Sequence, residues 1–133
     1  RQAIIDANAN ADATLIRFAL PGTCGNQGIL LLSPLPDVTT PVTIDGYTQA
    51  GSAANTINPG FNAQVCVGLT QVGTLSHALR AEAGSRLTVR GLWFGNFDAA
   101  GAVPVRFDGG SGHVLEGSQF AGTLPNGSAL SPN

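Results

Sequence analysis

Gly84-Ser85-Arg86-Leu87-Thr88-Val89-Arg90-Gly91-Leu92-Trp93-Phe94-Gly95 is followed 26 residues later by Gly110-Ser111-Gly112-His113-Val114-Leu115-Glu116-Gly117-Ser118-Gln119-Phe120-Ala121. The shared skeleton is G-S-x-x-x-(V/L)-(R/E)-G-x-x-F, and Thr43-Ile44-Asp45-Gly46 is a weaker third copy of its strand-then-glycine step. A repeat of this length, made of short strands with glycine at the bends, fits one coil of a β-solenoid. Stacked coils pair their strands in parallel, so matched positions become neighbours. On this reading Val89 stacks on Leu115 and Phe94 on Phe120, while Gly91 and Gly117 mark a bend with no room for a side chain or with a positive φ. The competing all-β architecture is a sandwich. Asp45-Gly46 and Asp108-Gly109 are the available hairpin dipeptides, but their flanks do not alternate cleanly.

Outward from the repeat, other short apolar runs read as strands. Leu15 to Leu20 places Ile16, Phe18 and Leu20 on one face at period two and stops at Pro21-Gly22. Further runs are Ile29 to Leu32, Val42 to Asp45, Gln64 to Leu69, Ala78 to Glu82 and Val103 to Phe107. The stretch 48–62 carries Gly, Ser, Asn and Pro without periodicity and reads as a projecting loop. Arg1 to Ala11 is the one helical pattern, with Ala3, Ile4, Ala7 and Ala11 on one face. Three turns are marginal alone in water, so this helix must lie on something apolar. The open end of a solenoid, which would otherwise pair with another chain, is such a surface.

The expected fold is therefore all-β: a right-handed parallel β-helix with a short N-terminal amphipathic capping helix. It forms a single domain over 1–133, with helix and linker at 1–13, coils at 14–123 and a C-terminal tail at 124–133. Arg-Gln-Ala-Ile-Ile-Asp-Ala-Asn at 1–8, Thr-Leu-Ile-Arg-Phe at 14–18, Ser-Pro-Leu-Pro at 33–36 and Pro-Val-Thr-Ile-Asp-Gly-Tyr-Thr-Gln at 41–49 carry a resemblance. They resemble the N-terminal cap and first coils of bacterial right-handed parallel β-helix proteins, which are large secreted or surface-anchored chains. Members often carry a Cys-rich-looking leader motif just upstream of the equivalent helix. The resemblance implies the fold and the cap. No catalytic motif defines the family, and kinship of fold with pectate-lyase-like enzymes does not by itself license an activity.

Composition narrows the function classes. Charged residues are 11% of the 133, against roughly 25% in average globular chains. Net charge is -2, and all six Lys+Arg positions are Arg. No clustered basic surface is written here, which argues against nucleic-acid binding. No apolar run approaches the roughly 20 residues of a membrane span. The chain starts at Arg1 inside a helical pattern and contains no Met, so it reads as a piece of a longer protein. Cys24 and Cys66 are too few for a zinc site and lack CxxC spacing. They form either a disulfide, which the low charge and high Gly/Thr/Asn content of an exported protein favour, or two separate buried thiols.

Candidate chemistry is sparse. Arg90 and Glu116 occupy matching repeat positions and should be outward-facing neighbours about 4.8 Å apart in backbone. They read as a surface ion pair between coils, or as an acid with an electrostatic partner for polysaccharide cleavage. Asp45, before a bend glycine, reads as an acceptor of turn N–H groups. Asp98, Asp108 and Arg106 complete the candidates for such cleavage chemistry, and Asp98 and Asp108, in Gly/Ala-rich stretches, read rather as turn residues. His77 and His113 have no ligand-spaced companions, so no metal is expected. Ser85 and Ser111 lie in Gly-Ser turns without a nucleophile elbow. Trp93 should alternate to the outside, where with Arg90 and Glu116 it could bind a glycan; the plainer reading buries it beneath 99–104. Tyr47 is the other large amphipathic aromatic. Asn126-Gly127-Ser128 matches a glycosylation acceptor, incidental in a bacterial protein.

The expectation is thus a non-enzymatic structural, adhesive or assembly module of a bacterial secreted or cell-surface protein, requiring no cofactor. Its partners are a second copy joined end to end, further coils of a parent chain, or a glycan. The alternative is a polysaccharide-binding or polysaccharide-cleaving β-helix.

Overall fold

The computed structural model describes residues 1–22, 24 and 27–121. The order along the chain is α1 (Gln2–Asn8), β1 (Thr14–Arg17), β2 (Gln27–Leu31), β3 (Pro41–Asp45), a single 3-10 turn at Gly46–Thr48, β4 (Val67–Gln71), β5 (Leu79–Ala81), β6 (Arg86–Arg90), β7 (Leu92–Gly95), β8 (Val105–Phe107), β9 (Val114–Glu116) and β10 (Gln119–Ala121). Two four-stranded sheets, β1-β3-β6-β9 and β2-β4-β7-β10, accompany a two-stranded sheet, β5-β8. Every pairing between these strands is parallel.

This corrects the expected right-handed parallel β-helix. The chain is mostly β, as three small parallel sheets with one helix, and it does not repeat one uniform coil. Paired residues in the first sheet are separated by 28, 45 and 26 positions (Thr14 to Val42, Val42 to Leu87, Thr88 to Val114). In the second sheet the steps are 40, 25 and 26 (Gln27 to Val67, Val67 to Leu92, Trp93 to Gln119). The 26-residue step of the sequence repeat is thus local to the last layer and does not extend along the whole chain. Within that layer the pairs Val89 with Leu115 and Phe94 with Phe120 are in register, the two rings stacked at 5.3 Å.

Alternation explains the core. Val42 and Ile44, Leu87 and Val89, Val67 and Leu69, and Leu92 and Phe94 point inward and are buried, with Val38, Leu79 and Ala81 closing the third side. The runs 87–94 and 113–120 each split into two strands on different sheets, because Gly91 (φ 62) and Gly117 (φ 54) turn the chain. α1 is shorter than the pattern over 1–11. Ile4 and Ala7 are buried, while Ala3 and Ala11 are exposed. Side-chain clamps end the helix: Asn8 donates from Nδ2 to the Asp37 carbonyl and accepts from the Thr39 N–H, and Thr40 Oγ1 donates to the Ala7 carbonyl. Arg1 reaches the Ser33 carbonyl and hydroxyl. Beneath the helix lies an apolar cavity of about 80 Å³, bordered by Ile4, Ile16, Ile44 and Leu69. That is far below the roughly 300 Å³ at which small-molecule sites begin.

Apart from the buried Gln49 and the half-buried Ser52, the stretch 48–62 is exposed, as expected for a projection, but it is internally tied. Ala53 and Gln64 exchange both backbone bonds. Asn55 and Asn62 lock the tip, with Asn55 Oδ1 accepting from the Asn62 N–H and Asn62 Oδ1 accepting from the Thr56 N–H. Cys24 and Cys66 are joined in a disulfide with Cα atoms 4.9 Å apart, and Cys66 is buried. The bridge encloses β2, β3 and the loop. The expected tail at 124–133, with Asn126-Gly127-Ser128, lies outside the described residues.

Closing a loop of sequence separation 42 stabilises by about 4 kcal/mol on the chain-entropy estimate. Paired Cys24→Ser and Cys66→Ser replacement is expected to lower the unfolding free energy by about that amount in urea titration. A loss below about 1 kcal/mol would mean the unfolded chain is already constrained there.

Candidate functional site

The first sheet carries an outward charge ladder. Arg17, Asp45, Arg90 and Glu116 end their strands in direct register, one sign alternating with the other. Like charges at such spacing repel and unlike charges attract, so the ladder favours this register over its neighbours. Arg90 Nε lies 3.6 Å from Asp45 Oδ1 and 3.5 Å from Glu116 Oε1. These are ion pairs too long for good hydrogen bonds, and Nε is buried without a hydrogen-bond partner. The guanidinium carbon stands 6.0 Å from the Tyr47 ring centroid. Asp45 Oδ1 accepts from the Tyr47 N–H, as its place before a bend glycine suggested.

Tyr47 crosses the corner above Gly91 and donates from its hydroxyl to the Gly117 carbonyl. A Cβ at Gly91 would meet the ring at 2.7 Å, and one at Gly117 would meet the hydroxyl at 2.1 Å. Burial raises the Tyr47 phenol above its ordinary range; Arg90 opposes this, and Glu116 and Asp45 add to it. A shallow depression of about 230 Å³ lies against Tyr47, Asn55, Arg90 and Glu116. Asn55 is spent on the loop tip, donating to the Ile57 and Gly60 carbonyls.

A second cluster, which the sequence reading missed, surrounds Arg80 on the β5-β8 sheet. Arg80 and Arg106 are register partners, two like charges on adjacent strands. Asp108 bridges them, its Oδ2 accepting from Arg80 Nε at 2.7 Å and its Oδ1 from Arg106 Nε at 2.6 Å. Arg80 also pairs with Glu82 and with Asp37 at 3.4 Å. The hydrogen bond from Arg106 chiefly holds the Asp108 carboxyl below its usual range; burial opposes it and Arg80 reinforces it. The bond to Asp108 is also the main reason Arg80 is raised further. The signal was present in Leu79-Arg80-Ala81 and Val105-Arg106-Phe107, whose apolar-Arg-apolar patterns match.

The histidines are structural. His113 Nδ1 accepts from the Leu87 N–H at 3.0 Å, while Nε2 faces the Gly109 carbonyl at 2.7 Å, and the ring stacks on Phe107. His77 Nδ1 bonds Ser76, and Nε2 lies 3.9 Å from Asp37. Among the described residues no group of three or more His, Cys, Asp and Glu could hold a metal ion. Ser85 donates to the Glu82 carbonyl and is buried. Gln49, also missed, clamps both backbone groups of Leu20; a lone Gln in a loop gives no warning of this.

Trp93 stands on the second sheet, whereas Arg90 and Glu116 are on the first. Arg90 and Glu116 come together; Trp93 instead lies over the neighbouring glycines of its own sheet and does not line the Tyr47 depression. Trp93 is half-buried there.

No family model matches the chain, no curated protein matches it and no solved structure matches it. The disulfide is consistent with an oxidising extracellular environment, and among the described residues no helix is long and apolar enough to cross a membrane.

Asp108 gives a pH prediction. Its folded-state pKa is depressed, so its contribution is complete above the unfolded carboxylate pKa, about 3.9. It is lost as pH falls through the lower folded value. Asp108→Asn is expected to flatten the acid limb of stability below about pH 4 and to lower stability at pH 7, with Arg80 and Arg106 left facing each other. Urea midpoints across pH 2 to 7 check this; an unchanged acid limb would remove Asp108 from the account.

Proposed function

We propose that this chain is a non-enzymatic structural, adhesive or assembly module of a secreted or cell-surface bacterial protein, and that it associates with a second copy through the end formed by β8, β9 and β10. One observation carries the reading. These three strands are the last of their sheets among the described residues, and Phe107, Val114, Leu115 and Phe120 remain exposed there by 38–48%. Among the described residues these edges pair with no further strand, and a parallel edge beside apolar side chains is a template for strand pairing. The opposite end differs, because α1 lies over the core beside β1. Association at one end only closes on a pair and does not run on into a filament.

The carboxylates support the non-enzymatic part. Asp45 and Glu116 both face Arg90, and Asp108 faces two arginines. A general acid needs a carboxyl whose pKa is raised towards the working pH, whereas the hydrogen bonds from Arg106 and Arg80 hold the Asp108 carboxyl below its usual range. Asp45 and Glu116 are engaged by Arg90 as ion pairs. The bacterial surface setting rests on the likeness of 1–49 to such proteins and on the disulfide.

Sedimentation velocity across a concentration series tests the reading. The expected result is a monomer–dimer equilibrium, shifted to monomer by Leu115→Lys with Phe120→Lys. A wild-type chain that stays monomeric at the highest concentration, or a pair indifferent to both substitutions, would overturn it.

A further inference from the structure

The strands of the second four-stranded sheet differ in charge from those of the other two sheets. Its strands read QGILL, VGLTQ, LWFG and QFA, without one charged residue. Those of the first sheet read TLIR, PVTID, RLTVR and VLE, and each of the β5 and β8 strands carries an arginine.

On this uncharged face Trp93 lies flat. A Cβ at Gly68, its register partner, would come 1.9 Å from Cε2 of the indole. One at Gly95 would come 2.7 Å from Cζ3, and one at Gly28 would stand 3.7 Å from Cη2 and Cζ2. The ring therefore spreads over three strands, in contact with bare backbone where any other residue would lift it. One face is spent on this trough, and Trp93 as a whole is half-buried. The half-buried Thr70 is beside it, its Oγ1 within 3.4 Å of the Gly95 Cβ position. Leu30, in register with Thr70, is 66% exposed.

We propose that this platform binds the ring face of a neutral saccharide. A flat aromatic held parallel to the surface offers an apolar plane to the C–H face of a pyranose, with a hydroxyl at its margin. The absence of charge selects among glycans. A uronate or sulfated sugar would give up hydration of its anionic group with no cation on these strands to replace it. Trp93 stands one strand in from the β10 edge, but its indole extends the other way, across β4 towards β2, so saccharide binding does not depend on the pairing reading.

Trp93 is the sole tryptophan, so its emission reports the site directly. The probes are neutral hexasaccharides of glucose, mannose and galactose, with hexagalacturonate as the charged control, titrated into the full chain. The expected result is a saturable emission change with at least one neutral hexasaccharide and none with the uronate. By calorimetry, Trp93→Ala should weaken binding at least about tenfold and Trp93→Phe by less, with far-ultraviolet circular dichroism unchanged. No saturable response from any neutral probe, equal binding of the uronate, or unchanged affinity in folded Trp93→Ala would overturn the proposal. So would a fall in sedimenting mass caused by Trp93→Ala, which would give this face to a second copy.

Discussion

Gly46, Gly91 and Gly117 stack at the corner where the first four-stranded sheet ends, and the rest of the structure depends on how closely the backbone passes there. A Cβ at Gly46 would fall 2.0 Å from the Gly91 carbonyl oxygen, so the layers meet with no side chain between them. Gly91 and Gly117 also turn at positive φ, a region costly for residues with a Cβ. With the corner fixed, Arg90 must sit beside Asp45 and Glu116, and Leu92 must enter the core one residue later. Tyr47 closes the corner from outside, its hydroxyl on Gly117 and its ring over Gly91. The same spacing thus sets the register of one sheet, the direction of the next and the charge ladder between them.

Parallel in-register pairing brings like positions together, which helps apolar residues and harms charged ones. The chain meets this problem in three ways. On the first sheet the sign alternates from strand to strand, from Arg17 to Glu116. On the two-stranded sheet Arg80 and Arg106 do coincide, and Asp108 answers both with one carboxylate. On the second sheet charge is left out altogether. The low charge content of the composition follows from this arithmetic of stacking as much as from any partner.

The last layer was the legible part of the sequence. The Gly-Ser-to-Phe skeleton placed Val89 on Leu115, Phe94 on Phe120 and Arg90 beside Glu116, because two copies at one spacing fix a register. It misled for the earlier layers, where 48–62 and the disulfide-closed stretch enlarge the step to 40 and 45 residues and break uniformity. The short helix followed from its period, but its end did not, because Asn8 and Thr40 end it through contacts about 30 residues away in sequence. His113 was equally opaque: accepting the Leu87 N–H depends on a neighbouring strand, not on local pattern.

Trp93 shows how a correct position still leaves a function unread. Alternation put the side chain outside, and outside it is. What alternation could not supply is the ring's orientation, which comes from Gly28 and Gly68 on two other strands. Glycine in a strand interior weakens the strand and marks close approach by something else. At Gly68 that something is the indole. The sequence already held a sign of it, since β2 and β4 each carry glycine at their second residue. Two aligned strand glycines without a bend to make are a vacancy for a large side chain, and in this chain only one tryptophan exists to fill it.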